Sequence, residues 1–300
     1  MHDAPHPFSL RQLQYAVAVA ETGAFGAAAE RCAVSQPSLS AQVAKLEDAL
    51  GVQLFERHPR GVLVTGAGEA LIAAMRQILA RADALAATAA NLADPDAVVL
   101  RVGIIPTAAP YLLPPAVERL RTGPPRVHWL ELQTEVCEQQ LAEGLLDAIV
   151  IADPPTHAGT TCAELGWEPF LLVVPADQPL DAPVTVEQVA GMELLLLDDG
   201  HCLRDQTLAL CGRPGARESP YRATSLPTMV QMVASSLGVS VIPASAVPVE
   251  TARAGVRAVP FAEASVGRTL RLCWRTRGAH ADRMPALAAV LGEALRAATR

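Results

Sequence analysis

No run of apolar residues in this 300-residue chain is long enough to span a bilayer, and no charged-then-apolar signal segment opens it. Both absences lead to the expectation of a cytoplasmic protein with no membrane partner. Neither a C-x-x-C pair nor an H-E-x-x-H run occurs, so no metal site is expected and no cofactor is implied. Positive charge is also short: 24 basic side chains against 31 acidic ones give a net charge of −7, which speaks against nucleic-acid partners. Lysine is nearly missing, Lys45 being the single one, and nothing in the sequence explains that. No internal repeat or low-complexity stretch appears beyond alanine-rich helices.

The length allows two or three domains, each able to bury a core. Cysteines stand at 32, 137, 162, 202, 211 and 273. In a reducing compartment six cysteines are not a secreted disulfide framework, and a bridge there is expected to be transient and sensing rather than structural.

Despite the charge, residues 1–66 read as a DNA-binding module. Ser9 caps a helix with Gln12 in capping-box position, Leu10, Leu13, Val17 and Ala20 recur at helical spacing, and Gly23 ends it. A short alanine-rich helix from Phe25 to about Cys32 and a turn at Ala33-Val34 lead to a third helix. Ser35 is its expected cap, Pro37 is tolerated in its first turn, and Gly51 stops it. Its inward stripe of Leu39, Val43, Leu46 and Leu50 leaves Gln36, Ser38, Ser40, Gln42 and Lys45 on polar faces. Val62 to Thr65 then reads as the return strand of a wing. Helix, turn, recognition helix and wing place Ser and Gln within reach of base edges and phosphates. The candidate DNA contacts are Ser35, Gln36, Pro37, Ser38, Ser40, Gln42, Lys45 and Arg57. Charge argues less for this, the module being near neutral, and a small helical domain with a merely solvated face is the ordinary alternative.

Residues 67–95 form one long helix ending at Asp94-Pro95. Leu71, Met75, Ile78, Ala82, Leu85, Ala89 and Leu92 follow four-three heptad spacing, predicting a homodimer seam, with docking on the chain's own third domain as the alternative. A two-fold dimer would offer two recognition helices to a pseudo-palindromic double-stranded operator. From 96 to 300 strands alternate with helices, an α/β pattern with largely parallel sheets and two lobes. Lobe I takes about 96–168 and 269–300, lobe II about 169–268. A helix is expected to start near Pro114-Pro115, and an amphipathic run from Met284 to Ala298 to return over lobe I.

The most chemically suggestive stretch is Gly200-His201-Cys202-Leu203-Arg204-Asp205-Gln206, followed by Cys211. A helix starting after Gly200 would hold the two sulfurs roughly 13.5 Å apart along its axis, on opposite faces. A disulfide needs Cα atoms within about 7 Å, so joining them requires the helix to unwind, and oxidation would become a change of shape. His201, Arg204 and the helix N-terminus would stabilise a thiolate at Cys202, whereas Asp198, Asp199 and Asp205 oppose it. From spacing alone, two ordinary core cysteines remain an open reading.

Three features together, namely this domain order, Ala27-Ala28-Ala29 and the run Val34-Ser35-Gln36-Pro37-Ser38-Leu39-Ser40, resemble the LysR-type transcriptional regulators. The 200–206 run with its second cysteine resembles their OxyR-like, peroxide-sensing branch. So do Pro106 to Pro114, Arg222 to Leu226 and Gly238 to Ala244. The resemblance implies an N-terminal winged helix-turn-helix, a linker helix, and a regulatory domain of two α/β subdomains like periplasmic binding proteins. It implies Cys202 as the peroxidatic and Cys211 as the resolving residue of a reversible disulfide. Thr107, Thr134, His201, Arg204, Asp205 and Arg268 would surround the thiolate and hold hydrogen peroxide, with Thr134 in the lobe neighbouring Thr107. Asp199 stands where Glu is expected, and Ala41 and Ala44 where relatives often carry longer side chains. The implied protein is a homotetrameric regulator acting with RNA polymerase in the oxidative-stress response. Two other readings are a regulator of the same family sensing a small organic ligand between the lobes, and a thiol peroxidase.

Overall fold

The computed structural model describes residues 6–58, 61–93, 98–121, 125–211, 217–252 and 255–299. Two compact units result, 1–93 and 94–300, and no helix among the described residues is long and apolar enough to cross a membrane.

The first unit contains α1 (Leu10–Thr22), α2 (Phe25–Arg31), α3 (Gln36–Leu50), the hairpin β1 (Phe55–His58) and β2 (Gly61–Val64), and α4 (Gly66–Ala93). The predicted capping box closes on α1: Ser9 accepts from the Gln12 amide while Gln12 accepts from that of Ser9. Ser35 occupies the N-cap position of α3 without a side-chain capping bond. Leu13, Val19, Ala28, Leu39, Val43, Leu46 and Leu54 meet in one core, and the small side chains of Ala28 and Ala29 let α2 approach closely. Glu47 fixes the exit from α3, its Oε1 accepting from the Leu54 and Phe55 amides at 2.7 and 3.2 Å. The wing is anchored where the Val62 amide donates to Gly23 O.

Only part of the heptad seam points away from this module. Met75, with Ile72 beside it, is buried in the module's own core, whereas Ile78 is 41% and Leu85 73% exposed. The Leu92 side chain lies outside the described residues. The first seam positions therefore have an intrachain partner that heptad spacing alone did not disclose.

In the second unit follow β3 (Val99–Ile104), α5 (Ala109–Leu120), β4 (Arg126–Glu131), α6 (Thr134–Glu143), β5 (Ala148–Ile151), β6 (Thr160–Pro175), α7 (Val186–Ala190), β7 (Glu193–Leu197), α8 (Cys202–Cys211), β8 (Arg217–Ala223), α9 (Leu226–Ala234), β9 (Ser240–Pro243), α10 (Val247–Glu250), β10 (Val256–Pro260), β11 (Gly267–Arg275) and α11 (Met284–Ala298). One sheet runs β10-β6-β11-β5-β3-β4, with β9 paired to β6, and β7 pairs separately with β8. The expectation of largely parallel sheets is corrected here. Only β3–β4, β3–β5 and β7–β8 are parallel; β6 pairs antiparallel with β9, β10 and β11, and β11 with β5. The reason is that β6 and β11 are long strands crossing both lobes in opposite directions, so each lobe inherits antiparallel neighbours. A second correction concerns α5, which begins at Ala109 and carries Pro114 and Pro115 in its interior; Pro110 is the one at the position where a missing N–H costs nothing.

Two apolar cores lie along the crossing strands. One gathers Val102, Ile104, Ile149, Leu165, Leu272, Leu287 and Leu291, the other Phe170, Leu172, Leu196, Met229, Ile242 and Val266. The change of core falls between Leu165 and Phe170 on β6, and between Val266, just before β11, and Leu270 on it. Two residues cross over: Cys202 of α8 packs in the first core although its neighbour Leu203 packs in the second, and Tyr111 of α5 packs in the second. A disulfide links Cys162 on β6 to Cys273 on β11, a bond the sequence reading did not assign.

Candidate functional site

The strand β7 ends at Leu197, and the chain turns through Gly200 before α8 starts at Cys202. Gly200 has φ +88, and a Cβ there would lie 2.7 Å from Gln133 Oε1. The positive φ is what favours glycine here, since the contact is with the flexible end of the Gln133 side chain from lobe I. Asp199 and Glu218 hold the turn by binding Arg204, at 3.1 and 2.8 Å, and Asp199 also meets Arg222 at 3.2 Å. The Arg204 guanidinium is thus committed to carboxylates of lobe II, rather than to the sulfur beside which the sequence reading set it.

Cys202 is a buried thiol, 7% exposed. Burial pushes its pKa up, and the charge of Asp153 adds to that; Arg268 is the strongest opposing influence, followed by the Thr134 hydroxyl and the Leu203 amide. Arg268 is held at every nitrogen. Nε donates to Glu168 Oε2 at 2.8 Å, Nη1 to Thr107 Oγ1 at 2.7 Å and Nη2 to Thr107 O at 3.0 Å. Its ring neighbour Phe170 lies 5.9 Å from the guanidinium carbon. Glu168 Oε1 accepts from the Ser245 amide. The Arg268 and Glu168 side chains are 1% and 0% exposed, and such a buried ion pair requires this degree of satisfaction to exist. Thr107 accepts from Arg268, which leaves its own hydroxyl proton as a donor.

Two buried polar atoms in the neighbouring residues lack a partner, His201 Nδ1 and Gln206 Oε1, and the Thr134 hydroxyl has none besides the Cys202 sulfur. Cys202 and Gln206 share a face of α8 by their i, i+4 spacing, and His201 precedes the sulfur. The Gln206 amide nitrogen donates to Asp153 Oδ1 at 2.9 Å, leaving its oxygen unused. Unpaired buried polar groups cost about 1–3 kcal/mol each.

The structure thus brings Arg268 and Thr134 to Cys202 and Thr107 to Arg268, while buried His201 precedes the sulfur in sequence. Asp205 is exposed on the first turn of α8, and the carboxylate that influences the sulfur is Asp153, at the end of β5. Thr134 starts α6, which packs with Cys137 and Leu141 in the same core as the strand before Thr107, so it belongs to lobe I and not to the neighbouring lobe. The Cys211 side chain lies outside the described residues; its backbone is the last residue of α8, about 13.5 Å along the axis from Cys202. Sequence reasoning missed Asp153, Glu168 and Gln206. Gln206 was recoverable from its spacing to Cys202, whereas Glu168 and Asp153 come close only through strand pairing.

Cys137 is a second buried thiol on α6. Burial first, and the charge of Glu138 second, push it up to about 12 from 9.0. A thiol whose folded pKa is raised holds its proton more tightly than the unfolded chain does. Its contribution is intact below about pH 9 and is lost as pH rises toward 12. Thermal unfolding followed by tryptophan fluorescence should show a melting temperature that falls between pH 9 and pH 11, and Cys137→Ala should flatten part of that fall; equal slopes would contradict the assignment.

In the first unit Ser35, Gln36, Pro37, Ser38 and Lys45 are exposed, and Ser40 and Gln42 are half-buried. All lie on α3 or at its cap, opposite the Leu39, Val43, Leu46 stripe. The Arg57 side chain lies outside the described residues.

Two family models cover nearly all of this architecture: the bacterial regulatory helix-turn-helix protein, lysR family, over residues 10–69, and the LysR substrate binding domain over residues 93–296. The chain belongs to the LysR family, in its OxyR branch. A probable hydrogen peroxide-inducible genes activator of Mycobacterium avium is 40% identical over 299 residues, 98% of this chain and 96% of that protein. The DNA-binding transcriptional dual regulator OxyR of Escherichia coli K12 is 40% identical over 272 residues, 89% of each chain. Among solved structures, a cysteine-to-serine variant of Corynebacterium glutamicum OxyR with hydrogen peroxide bound is similar at 35% identity. Its TM-score is 0.64, and the match covers 98% of this chain and 94% of that one. LysR-family membership accounts for the helix-turn-helix module and the two-lobed second unit together.

Proposed function

We propose that this chain is a cytoplasmic, DNA-binding regulator of transcription, not an enzyme, switched by hydrogen peroxide through oxidation of Cys202. The observation that carries this reading is a buried thiol on which Arg268 and the Thr134 hydroxyl act, next in sequence to His201 with its unpaired Nδ1, in a chain 40% identical to a probable hydrogen peroxide-inducible genes activator. Thr107, Thr134, His201 and Gln206 hold peroxide by hydrogen bonds, and Arg268 draws the thiol toward its thiolate. Arg204 acts from the α8 side by anchoring the turn through Asp199 and Glu218, while Asp205 is exposed to solvent. The thiolate attacks one peroxide oxygen, the O–O bond breaks, and the departing hydroxide takes a proton to leave as water. The sulfenic acid at Cys202 then condenses with the Cys211 thiol, releasing a second water and forming the S–S bond. Two thiols are oxidised and one peroxide is reduced, with no cofactor.

Because α8 holds the two residues too far apart to join, closure of this bond unwinds the helix. The Asp199–Arg204–Glu218 contacts open with it, and the lobe surfaces shift. We assign residues 1–66 to DNA binding, 67–95 to dimerisation through α4, and 96–300 to redox sensing. Two recognition helices reach a pseudo-palindromic operator through Ser35, Gln36, Pro37, Ser38, Ser40, Gln42, Lys45 and Arg57. The assembly is a homotetramer that changes the spacing of those helices and thereby their action on RNA polymerase.

Peptide mapping after one equivalent of peroxide tests the reading. A Cys202–Cys211 linked peptide is expected, and its absence would favour a ligand-sensing regulator. Gln36→Ala should reduce discrimination between operator and random DNA, on the order of 1–3 kcal/mol for a base-reading contact, with oxidation kinetics unchanged. A normal footprint would remove Gln36 from the interface. Leu85→Glu should convert dimers to monomers in sedimentation velocity and weaken operator binding; a dimer of wild-type stability would move the interface off α4.

A further inference from the structure

The disulfide between Cys162 and Cys273 lies outside the Cys202 site. Both residues sit on the crossing strands, directly opposite in antiparallel register with Cα atoms 4.1 Å apart. Such narrow pairs bring side chains closest. Cys273 is fully buried, whereas Cys162 is only partly buried at the edge of the same core, so Cys162 is the sulfur an external thiol would reach first.

The next pair on the same face of the two strands is Thr160 with Arg275, since side chains two residues apart point the same way, about 7 Å along the strand. Thr160 and Arg275 line an open cavity of about 560 Å³ together with His157, Gly159, Thr276 and Arg277. Arg277 is exposed. Arg275 Nη1 donates to Leu146 O at 2.8 Å and to Leu141 O, which holds its charge at the cavity wall. Two acids face this lining: Asp147, whose charge acts on Arg275 together with that of Arg101, and Glu138, buried and bound by the Thr156 amide and hydroxyl at 2.7 and 2.6 Å, with His157 Nδ1 at 3.9 Å. In a chain of net charge −7, a cavity whose lining holds two arginines and a histidine and no carboxylate, one strand-pair from a partly buried disulfide, offers a place for an anion.

We propose that Cys162–Cys273 is a second, reversible redox site, served by an anionic low-molecular-weight thiol that docks by its carboxylates in the His157–Arg275–Arg277 cavity. The thiolate of the small molecule attacks Cys162 Sγ, the Cys162–Cys273 bond breaks, and the Cys273 thiolate leaves and takes up a proton. A second small thiolate then attacks the outer sulfur of the mixed disulfide, freeing Cys162 and releasing the oxidised small molecule as its own disulfide. Two small thiols are oxidised and the protein pair gains two electrons; the reverse sequence, from the small disulfide, closes the bridge. The closed bridge ties β6 to β11 on the lobe I side of the Glu168–Arg268 pair, and open thiols release that tie.

Full-length Cys202→Ser protein isolates this site from the sensor, and no DNA readout is involved, so the result is independent of the peroxide reading. Alkylation and peptide mapping follow the bridge during treatment with glutathione or with its dimethyl ester, which lacks the carboxylate charges, each at equal thiolate concentration. The bridge should open under glutathione and close again under oxidised glutathione, with glutathione about fivefold faster than the ester, a modest electrostatic steering effect. Arg277→Glu should erase that preference while the bridge still forms. Free thiols at both positions under oxidised glutathione, a bridge that glutathione leaves closed, or equal rates for acid and ester would each overturn the proposal.

Discussion

Cys202→Ser should abolish the peroxide response and leave operator binding by the reduced form at the wild-type level. The hydroxyl is isosteric enough to keep the 7%-exposed side chain packed in the lobe I core, so α8, the Arg204 contacts and the lobe surfaces stay as they are. What disappears is the nucleophile, because a serine hydroxyl neither ionises near neutral pH nor forms a disulfide. Gel shift and in vitro transcription with and without peroxide read the two halves separately. A preserved peroxide response in this variant would take Cys202 out of the switch.

Arg268→Gln should slow oxidation of Cys202 on the order of 10²-fold, the usual cost of removing one group aimed at developing charge. The sign follows from what surrounds the sulfur: burial and Asp153 favour the neutral thiol, and Arg268 is the strongest opposing influence. The single variant also leaves Glu168 charged and unpaired at 0% exposure, at a cost of about 3–5 kcal/mol of stability. Arg268→Gln combined with Glu168→Gln replaces the pair by neutral groups that can still hydrogen-bond. That double variant should regain most of the stability and none of the rate. Stopped-flow oxidation and thermal melting separate the outcomes, and a rate that recovers together with stability would mean that Arg268 acts only by holding the lobes.

The same wild-type site gives a pH dependence with a fixed sign. The Cys202 thiol is pushed up by its burial, so its oxidation rate should still be rising with pH above the ordinary thiol range. Arg268→Gln should move that rise further toward alkaline pH.

The sequence disclosed most where periodicity and local chemistry act within a few residues. The Ser9 capping box, the Gly51 stop, the Leu39–Val43–Leu46 stripe and a helix starting after Gly200 are all local, and each stands where spacing put it. Long-range pairing was hidden. That β6 and β11 cross both lobes makes the sheet largely antiparallel, and only that crossing sets Glu168 opposite Arg268 and Cys162 opposite Cys273. For the same reason Arg204, two residues from the sulfur in sequence, is drawn to Asp199 and Glu218, whereas the cation that matters at Cys202 comes from 66 positions farther along. Asp205 illustrates the limit of adjacency: helix geometry turns it to solvent, while Asp153, fifty residues away, influences the thiol.

Hydrogen–deuterium exchange across residues 202–211, before and after one equivalent of peroxide, tests whether the sensor thiols meet only by dismantling α8. Strong protection in the reduced protein, followed by its collapse over this segment as the linked peptide accumulates, is the predicted result. A linked peptide with the segment as protected as before would contradict it.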